Sequence, residues 1–493
     1  MSSDSSLSEP PKAYSSFSPF MKKYIVFTAA GAGLFSSLSA QIYFPALNTL
    51  AKDLGVSSSL INLTVTSYMI FQGIAPMFLG SFADQTGRRP AYIICFVIYI
   101  ASNIGLALQD SYAALIVLRC LQSSGISSSV ALSAATVADV ATKQERGSIM
   151  GFVMAGNFMG PAIGPIIGGL LAQYLGWRSI FWFLTIASGV FLLPLLFFLP
   201  ETARNVVGDG SLPAQSWNRP FIQYILGHKE AKQPSLADSQ ESNPPEKIHG
   251  KLRFPNPLKP LAVVCHANSI IVLVVTGVIM GGNMTVLSSI TEVYSSEYGL
   301  DELQIGLCYI TLGTGSVVAS FVTGRLLDWN YRRLAAKISH TGTAEQQEQQ
   351  KRDEAVPVEK ARSMITIPLV VMGSLTVLAF GWVINYGVHL AAPEVFLFFI
   401  GMGQTGGFIS TSTLLVDLHT AQPAAATAAN NMVRSFFSAA ASAAIDPMLN
   451  AMGRGWAFTL VTFILLGTIP FLLLLCGMWR QKKEPEQTAQ EQS

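Results

Sequence analysis

Apolar side chains in this sequence come in long continuous runs separated by short polar breaks, not in the alternation of half-buried strands. A helix needs about 20 mostly apolar residues to cross a bilayer. Twelve segments approach that length: 24–47, 60–82, 91–109, 112–138, 148–171, 178–199, 261–285, 303–327, 364–388, 394–416, 424–447 and 456–479. Because the runs do not alternate, a membrane β-barrel is excluded. The pattern predicts an all-α membrane protein with twelve transmembrane helices.

Two polar insertions interrupt the runs. Residues 203–258, rich in Pro, Ser, Lys and Glu, separate six predicted helices from six. Residues 331–362 hold the solvated run 345–350, Glu-Gln-Gln-Glu-Gln-Gln, and read as a loop or as an amphipathic surface helix. The predicted organisation is a disordered cytoplasmic tail over 1–23, a six-helix bundle over 24–202 and a cytoplasmic central loop over 203–258. A second six-helix bundle follows over 259–479, with the loop 331–362 inside it, and a cytoplasmic tail over 480–493.

The two bundles repeat. Gly80, Asp84, Arg88 and Arg89 follow the second helix, and Gly324, Asp328, Arg332 and Arg333 follow the eighth. Both sets read Gly-x3-Asp-x3-Arg-Arg, the second set lying 244 positions later, 324 against 80. This is the mark of two parallel, pseudo-symmetric six-helix halves. Charge sets the orientation. With the N-terminus inside, only Lys52, Arg178 and Arg454 among the basic residues face outward, and Arg119 and Arg434 lie within helices. Both termini are then cytoplasmic.

Composition agrees. The chain has 493 residues, 50% hydrophobic and only 12% charged, against about a quarter charged in soluble domains. A net charge of +2 gives no basic field for nucleic acid. The five cysteines, Cys95, Cys120, Cys265, Cys308 and Cys476, sit singly in apolar stretches, and the six histidines show no metal spacing. The absence of a Walker loop argues against ATP as the driving force, and no cofactor or metal is expected. The first apolar run is too long for a signal-peptide core.

Several local patterns carry chemistry. In Gly80-Ser-Phe-Ala-Asp84-Gln-Thr-Gly87-Arg88-Arg89, Gly80 suits a close helix approach, and Asp84 suits a cap or ion pair at a helix end. Gly160-x3-Gly164-Pro165-x2-Gly168-Gly169 puts small residues at four-residue spacing, a flat face for close packing, with Pro165 favouring a bend. Leu115-x3-Arg119-x2-Gln122-x2-Gly125 and Asn430-Asn431-x2-Arg434 each place a cation inside a span. A charge there costs roughly 2.5–3.5 kcal/mol. Each arginine must face a wet cavity or a partner, the bland alternative being satisfaction by backbone carbonyls. No carboxylate stands out at midspan.

These three patterns resemble the signatures of the major facilitator superfamily, in its twelve-spanner drug:H+ antiporter family. Phe82, Gln85 and Ser123 depart from the family patterns, and the fifth-helix pattern matches throughout. Gln41-Ile-Tyr-Phe-Pro45-Ala, Trp177-Arg-Ser-Ile-Phe-Trp182 and Pro200-Glu201-Thr202 resemble the fungal branch of multidrug-resistance and citrate-type exporters. The resemblance implies a gating loop at Gly80, Asp84, Gly87, Arg88 and Arg89, repeated at Asp328, Arg332 and Arg333. It implies an antiporter face at Gly160, Gly164, Pro165, Gly168 and Gly169. A coupling and substrate cavity is assigned to Arg119, Gln122, Asn430, Asn431 and Arg434.

The function this implies is not enzymatic. It is proton-coupled export of a small organic molecule, first an organic acid such as citrate or itaconate, because guanidinium binds carboxylates in a fork. The alternatives are a multidrug or secondary-metabolite efflux pump and, more remotely, a nontransporting sensor on the same fold. The expected partners are the substrate, protons and the lipid bilayer. The expected state is a monomer in the plasma membrane, with a vacuolar or other internal membrane as the alternative.

Overall fold

The computed structural model describes residues 15–141, 145–210, 212, 215, 218–221, 267–339, 358–419 and 423–475. Regular structure among the described residues is helical. The first half comprises α1 (Pro19–Gln41), a 3-10 turn (Phe44–Ala46), α2 (Leu47–Asp53), α3 (Ser58–Thr86), α4 (Arg88–Leu108), α5 (Tyr112–Ile126), α6 (Ser128–Val140), α7 (Arg146–Leu175), α8 (Arg178–Phe198) and the short α9 (Arg204–Val207). The second half comprises α10 (Ala267–Tyr298), α11 (Glu302–Ser339), α12 (Val358–Asn385), α13 (Ala391–Leu418) and α14 (Pro423–Leu466).

Among the described residues, ten helices are long and apolar enough to cross a membrane. One is the 50-residue run Ala426–Leu475, which Gly453 divides by leaving helical geometry at φ +76°. A further apolar stretch, Met159–Leu175, lies within the 30-residue α7. Counted with α7 and with that division, the described helices fall in the regions of the twelve predicted spans, ten runs having the length and hydropathy of a span and the α7 stretch being shorter. Lipid-facing side chains are apolar: Phe27, Ile186, Phe321 and Phe463 are each more than 60% exposed. Ser and Thr are buried between helices instead, as expected where small residues pack helices in lipid.

Helix limits depart from the sequence expectation where local chemistry extends a helix. α1 starts at Pro19, not 24, because the Ser18 hydroxyl caps it and Pro19 is preset for the first helical position. α10 runs on to Tyr298, well beyond 285, because its polar tail is buried against the other half. α11 continues to Ser339, past residue 331 where a loop was expected. Most of the expected central loop and the tail from 480 lie outside the described residues.

The turns at Gly55, Gly176, Gly299, Gly387 and Gly453 share one end of the bundle, here called the Gly55 end; Gly87 marks the other. At the Gly55 end the halves are stitched together. Asn48 Nδ2 donates to the Thr291 carbonyl at 3.2 Å, and Thr291 Oγ1 donates to the Phe44 carbonyl at 2.9 Å. Thr49 donates to Glu302, and the Phe44 and Tyr309 rings stack with centroids 6.2 Å apart. Two seams continue this contact, α7 on α11 and α3 on α14.

Candidate translocation site and gates

The predicted gating loop is a hydrogen-bonded latch within the first half. α3 ends where Gly87 takes φ +116°, and a Cβ there would overlap the Glu201 carboxylate, so the position requires glycine. The opening N–H groups of α4 have no intrahelical acceptor. Glu201 supplies one: Oε1 accepts from Arg88 N at 2.7 Å and Oε2 from Arg89 N at 3.2 Å. The same Oε1 accepts from Thr202 N at 2.9 Å and Ala203 N at 2.8 Å. A carboxylate at this helix terminus also meets the positive end of the dipole.

The Arg88 guanidinium bridges Asp84 at 2.5 Å and Asp139 at 3.0 Å. Arg89 is buried and donates to the Leu196 carbonyl at 2.9 Å. The loop thus joins the ends of four helices, α3, α4, α6 and α8. Sequence reading found Asp84 and the arginines but missed Asp139 and gave Glu201 no part in the loop. Gly80 does not serve a close approach in this conformation, since a Cβ there would meet nothing within 4 Å.

The second copy of the motif does not form the same device. Asp328, Arg332 and Arg333 are exposed along α11, with the Arg333 guanidinium over the Trp329 ring at 5.2 Å. The reason is a single residue: Tyr331 occupies the place of Gly87 and cannot readily take its backbone geometry, so the helix runs on. The ion pair that matches Arg88–Asp139 in position is Arg362–Asp417 at 3.1 Å, between the start of α12 and the end of α13.

Arg119 lies fully enclosed inside the first half, 1% exposed. Its guanidinium carbon sits over the Tyr43 ring at 4.1 Å and the Tyr68 ring at 4.3 Å. Nη1 donates to Gln122 Oε1 at 2.6 Å, and Gln122 Nε2 donates to Asn103 Oδ1 at 2.7 Å. Its Nε has no hydrogen-bond partner. The partner is therefore an aromatic sandwich with one amide, neither a wet cavity nor backbone carbonyls.

Arg434 is half-buried at the seam between the halves. Its Nε and Nη2 donate to Asn431 Oδ1 at 3.1 and 2.7 Å, and Asn431 Nδ2 donates to the Gln72 carbonyl of the other half at 3.3 Å. Phe408 lies 5.6 Å from the guanidinium. Asn430 departs from the predicted cluster and donates to Ser412 Oγ at 2.9 Å. The structure thus groups Arg119 with Gln122 and Arg434 with Asn431, as two separate sites. The carboxylates Asp417 and Asp139 serve other arginines, and the contacts described for Arg119 and Arg434 are all neutral.

The fifth-helix glycines act as a two-sided face. Gly156 and Gly164 would bring a Cβ to 2.7 Å from the Ala30 carbonyl and 3.1 Å from Gln41 Cβ, and Gly160 and Gly168 would overlap Ser37 and Ile42, all near α1. Gly169 meets the Glu302 backbone of the other half, and the Pro165 carbonyl faces Gly306. No carboxylate was expected at midspan, and the buried carboxylates lie instead toward the helix ends. Asp446 is 1% exposed, and Glu292 and Glu394 are partly buried, Glu394 accepting from Thr311 Oγ1 at 2.6 Å. Glu292 escaped notice because the seventh span was expected to end at 285.

A lipid-facing apolar shell, two helical halves meeting along two seams and charged groups inside the bundle define a polytopic membrane transporter. The chain belongs to the Major Facilitator Superfamily, whose family model matches residues 29–443. It is 42% identical over 462 residues to the MFS-type transporter phiD of Fungal sp. (strain ATCC 74256), covering 93% of this chain and 69% of that one. It is 36% identical over 458 residues to Citrate exporter 1 of Aspergillus niger, covering 92% and 86%. The fold is similar to the partially occluded, inward-open xylose transporter XylE from E. coli, with a TM-score of 0.64 at 15% identity over 92% of this chain and 98% of that one.

Proposed function

We propose that this chain is a proton-coupled exporter of a small organic anion, with the Gly87 end and both termini in the cytoplasm of a plasma-membrane monomer. The observation that carries the substrate class is the pair of intramembrane arginines whose described partners are all neutral. A buried cation without a counterion attracts an anion from the aqueous phase. The two arginines take different roles. Arg434, half-buried at the seam and already presenting a fork to a neutral amide, is the group a carboxylate displaces Asn431 to reach. Arg119, caged by Tyr43 and Tyr68, supplies positive potential from the wall and responds to movement of α1 and α3. Similarity to a protein named as a citrate exporter supports the same class. The glycine face of α7, which touches both α1 and the other half, supports the exchange of two conformations.

The test is efflux of radiolabelled citrate, itaconate and a cationic dye from cells expressing wild type, Arg434→Lys and Arg119→Lys. A charged hydrogen bond contributes about 1.5–3 kcal/mol. Arg434→Lys, which keeps the charge and loses the fork, should therefore cut anion export roughly tenfold or more and leave the dye unchanged. Arg119→Lys should impair every substrate, because Lys cannot stack between two rings as guanidinium does. A protonophore should abolish uphill export. Normal transport of all three compounds by both variants sinks the anion reading, and preferential loss of dye export replaces it with drug efflux.

A further inference from the structure

One polar cluster takes no part in the arginine sites or the Gly87 latch. Near the Gly55 end, a small pocket is lined by Asn48, Ile61 and Asn62 of the first half and by Ser288, Thr291 and Glu292 of the second. Behind it lies Asp446 of α14, its carboxyl set against the Glu292 carboxyl and alongside the Asn62 amide. Asp446 is 1% and Asn62 4% exposed. Both Asp446 oxygens, Glu292 Oε2 and Asn62 Oδ1 are buried without a hydrogen-bond partner among the described residues. All four are acceptors in need of a donor.

The surrounding charges do not supply one. Arg454, across the Gly453 kink, is the nearest cation and is engaged by Glu297 and the Ser296 hydroxyl. Thr49 of α2 is spent on Glu302 of α11, and Glu394 of α13 is served by Thr311. Trp177 is hydrogen-bonded to Asp53 at 2.7 Å. Two carboxylates side by side in a buried site cannot both stay ionised, and a proton on either turns an orphaned acceptor into a donor toward its neighbour or toward Asn62.

We propose that Glu292 and Asp446, flanked by Asn62 across the seam, form a proton-binding site that is loaded when the two halves close at the Gly55 end. This assigns the proton carrier of the proposed function and rests on that reading. The closed end holds a proton more tightly than the open, hydrated end does, so the linkage has one sign: rising pH disfavours closure at this end. For an exporter whose Gly55 end faces outward, a proton taken from outside permits the return to the state closed there. That proton then leaves to the cytoplasm while the Gly87 end is open, and its loss leaves two like charges that push the Gly55 end open for substrate release.

The test uses the full chain in lipid nanodiscs, with the five native cysteines replaced and spin labels at Lys52→Cys and Asp301→Cys. These positions are exposed on opposite halves of the Gly55 end. In wild type the short-distance population should fall between about pH 5 and pH 8, its ratio to the open population changing by up to about tenfold per pH unit for one linked proton. The double variant Glu292→Gln, Asp446→Asn should stay closed throughout. Each single variant should shift the midpoint, which keeps the test decisive if the double variant does not fold. Asp110→Asn, which removes a carboxylate paired with Arg178 away from the site, should leave the midpoint in place. A pH-independent wild type, variants that titrate like wild type, or loss of the titration in Asp110→Asn overturns the assignment. Protonophore-sensitive export with an unaltered titration in the variants leaves the exporter standing and removes this site. Protonophore-insensitive export with the expected titration does the reverse.

Discussion

The two seams between the halves are built from different materials. Along α7 and α11 the backbones themselves meet: Gly169 lies on the Glu302 backbone, Gly306 on the Pro165 carbonyl, and a Cβ at Gly313 would stand 2.8 Å from Ala162 Cα. Along α3 and α14 the backbones approach at Gly73, where a Cβ would stand 3.3 Å from the Met432 carbonyl, but side chains make the remaining joins, Asn431 donating to the Gln72 carbonyl at 3.3 Å and Thr66 to the Ala439 carbonyl at 3.4 Å. α14 has no glycine before Gly453 and uses Ala and Ser instead. A backbone-on-backbone contact tolerates sliding and forbids any added atom. A side-chain join can be unmade and remade one hydrogen bond at a time. The difference assigns the first seam to a bearing and the second to a clasp that also holds Arg434.

The largest effect is expected where nothing can yield. Gly306→Leu drives a side chain into the Pro165 backbone, an overpacking of about 1–3 kcal/mol or more, and should abolish export while the purified protein stays monodisperse. Wild-type flux in that variant would end the bearing interpretation. Asn431→Ala comes next. It removes the link to Gln72, and at about 1–2 kcal/mol for interhelical polar contacts in lipid it should lower the flux of anion and dye alike roughly tenfold, read as initial rates in vesicles. Thr66→Val is the mildest. It loses a hydroxyl shared between the Asn62 carbonyl of its own helix at 3.1 Å and the Ala439 carbonyl at 3.4 Å, an interhelical contact worth about 0.6 kcal/mol, and should change the rate by no more than about threefold. If Thr66→Val were as damaging as Asn431→Ala, the clasp would lie at Ala439, not at the arginine.

The spans and the glycine face were legible because lipid imposes a length and close packing imposes a spacing, and both are written in consecutive residues. What a motif touches was not. Arg119 advertised a buried cation, but its rings come from Tyr43 and Tyr68 on other segments of the chain. Arg88 advertised a pair with Asp84, but its second partner, Asp139, lies 51 positions away. The repeated Gly-x3-Asp-x3-Arg-Arg marked the two halves but not one shared local geometry, because Gly87 ends its helix and Tyr331 stands where the second helix runs on. Glu292 and Asp446 were hidden for an opposite reason. Glu292, beside Ser288, Ser289 and Thr291, looks like the water-facing end of a span, and Asp446 stands one residue from the end of its predicted span, 424–447; only the fold shows that both are covered.

Glu201 gathers the N–H groups of Arg88 and Arg89 on one side and of Thr202 and Ala203 on the other, next to the point where the chain leaves the first half. The described partners of that knot all precede residue 222, so the end of α8 is held to the start of α4 and the first half carries its own tie at the Gly87 end.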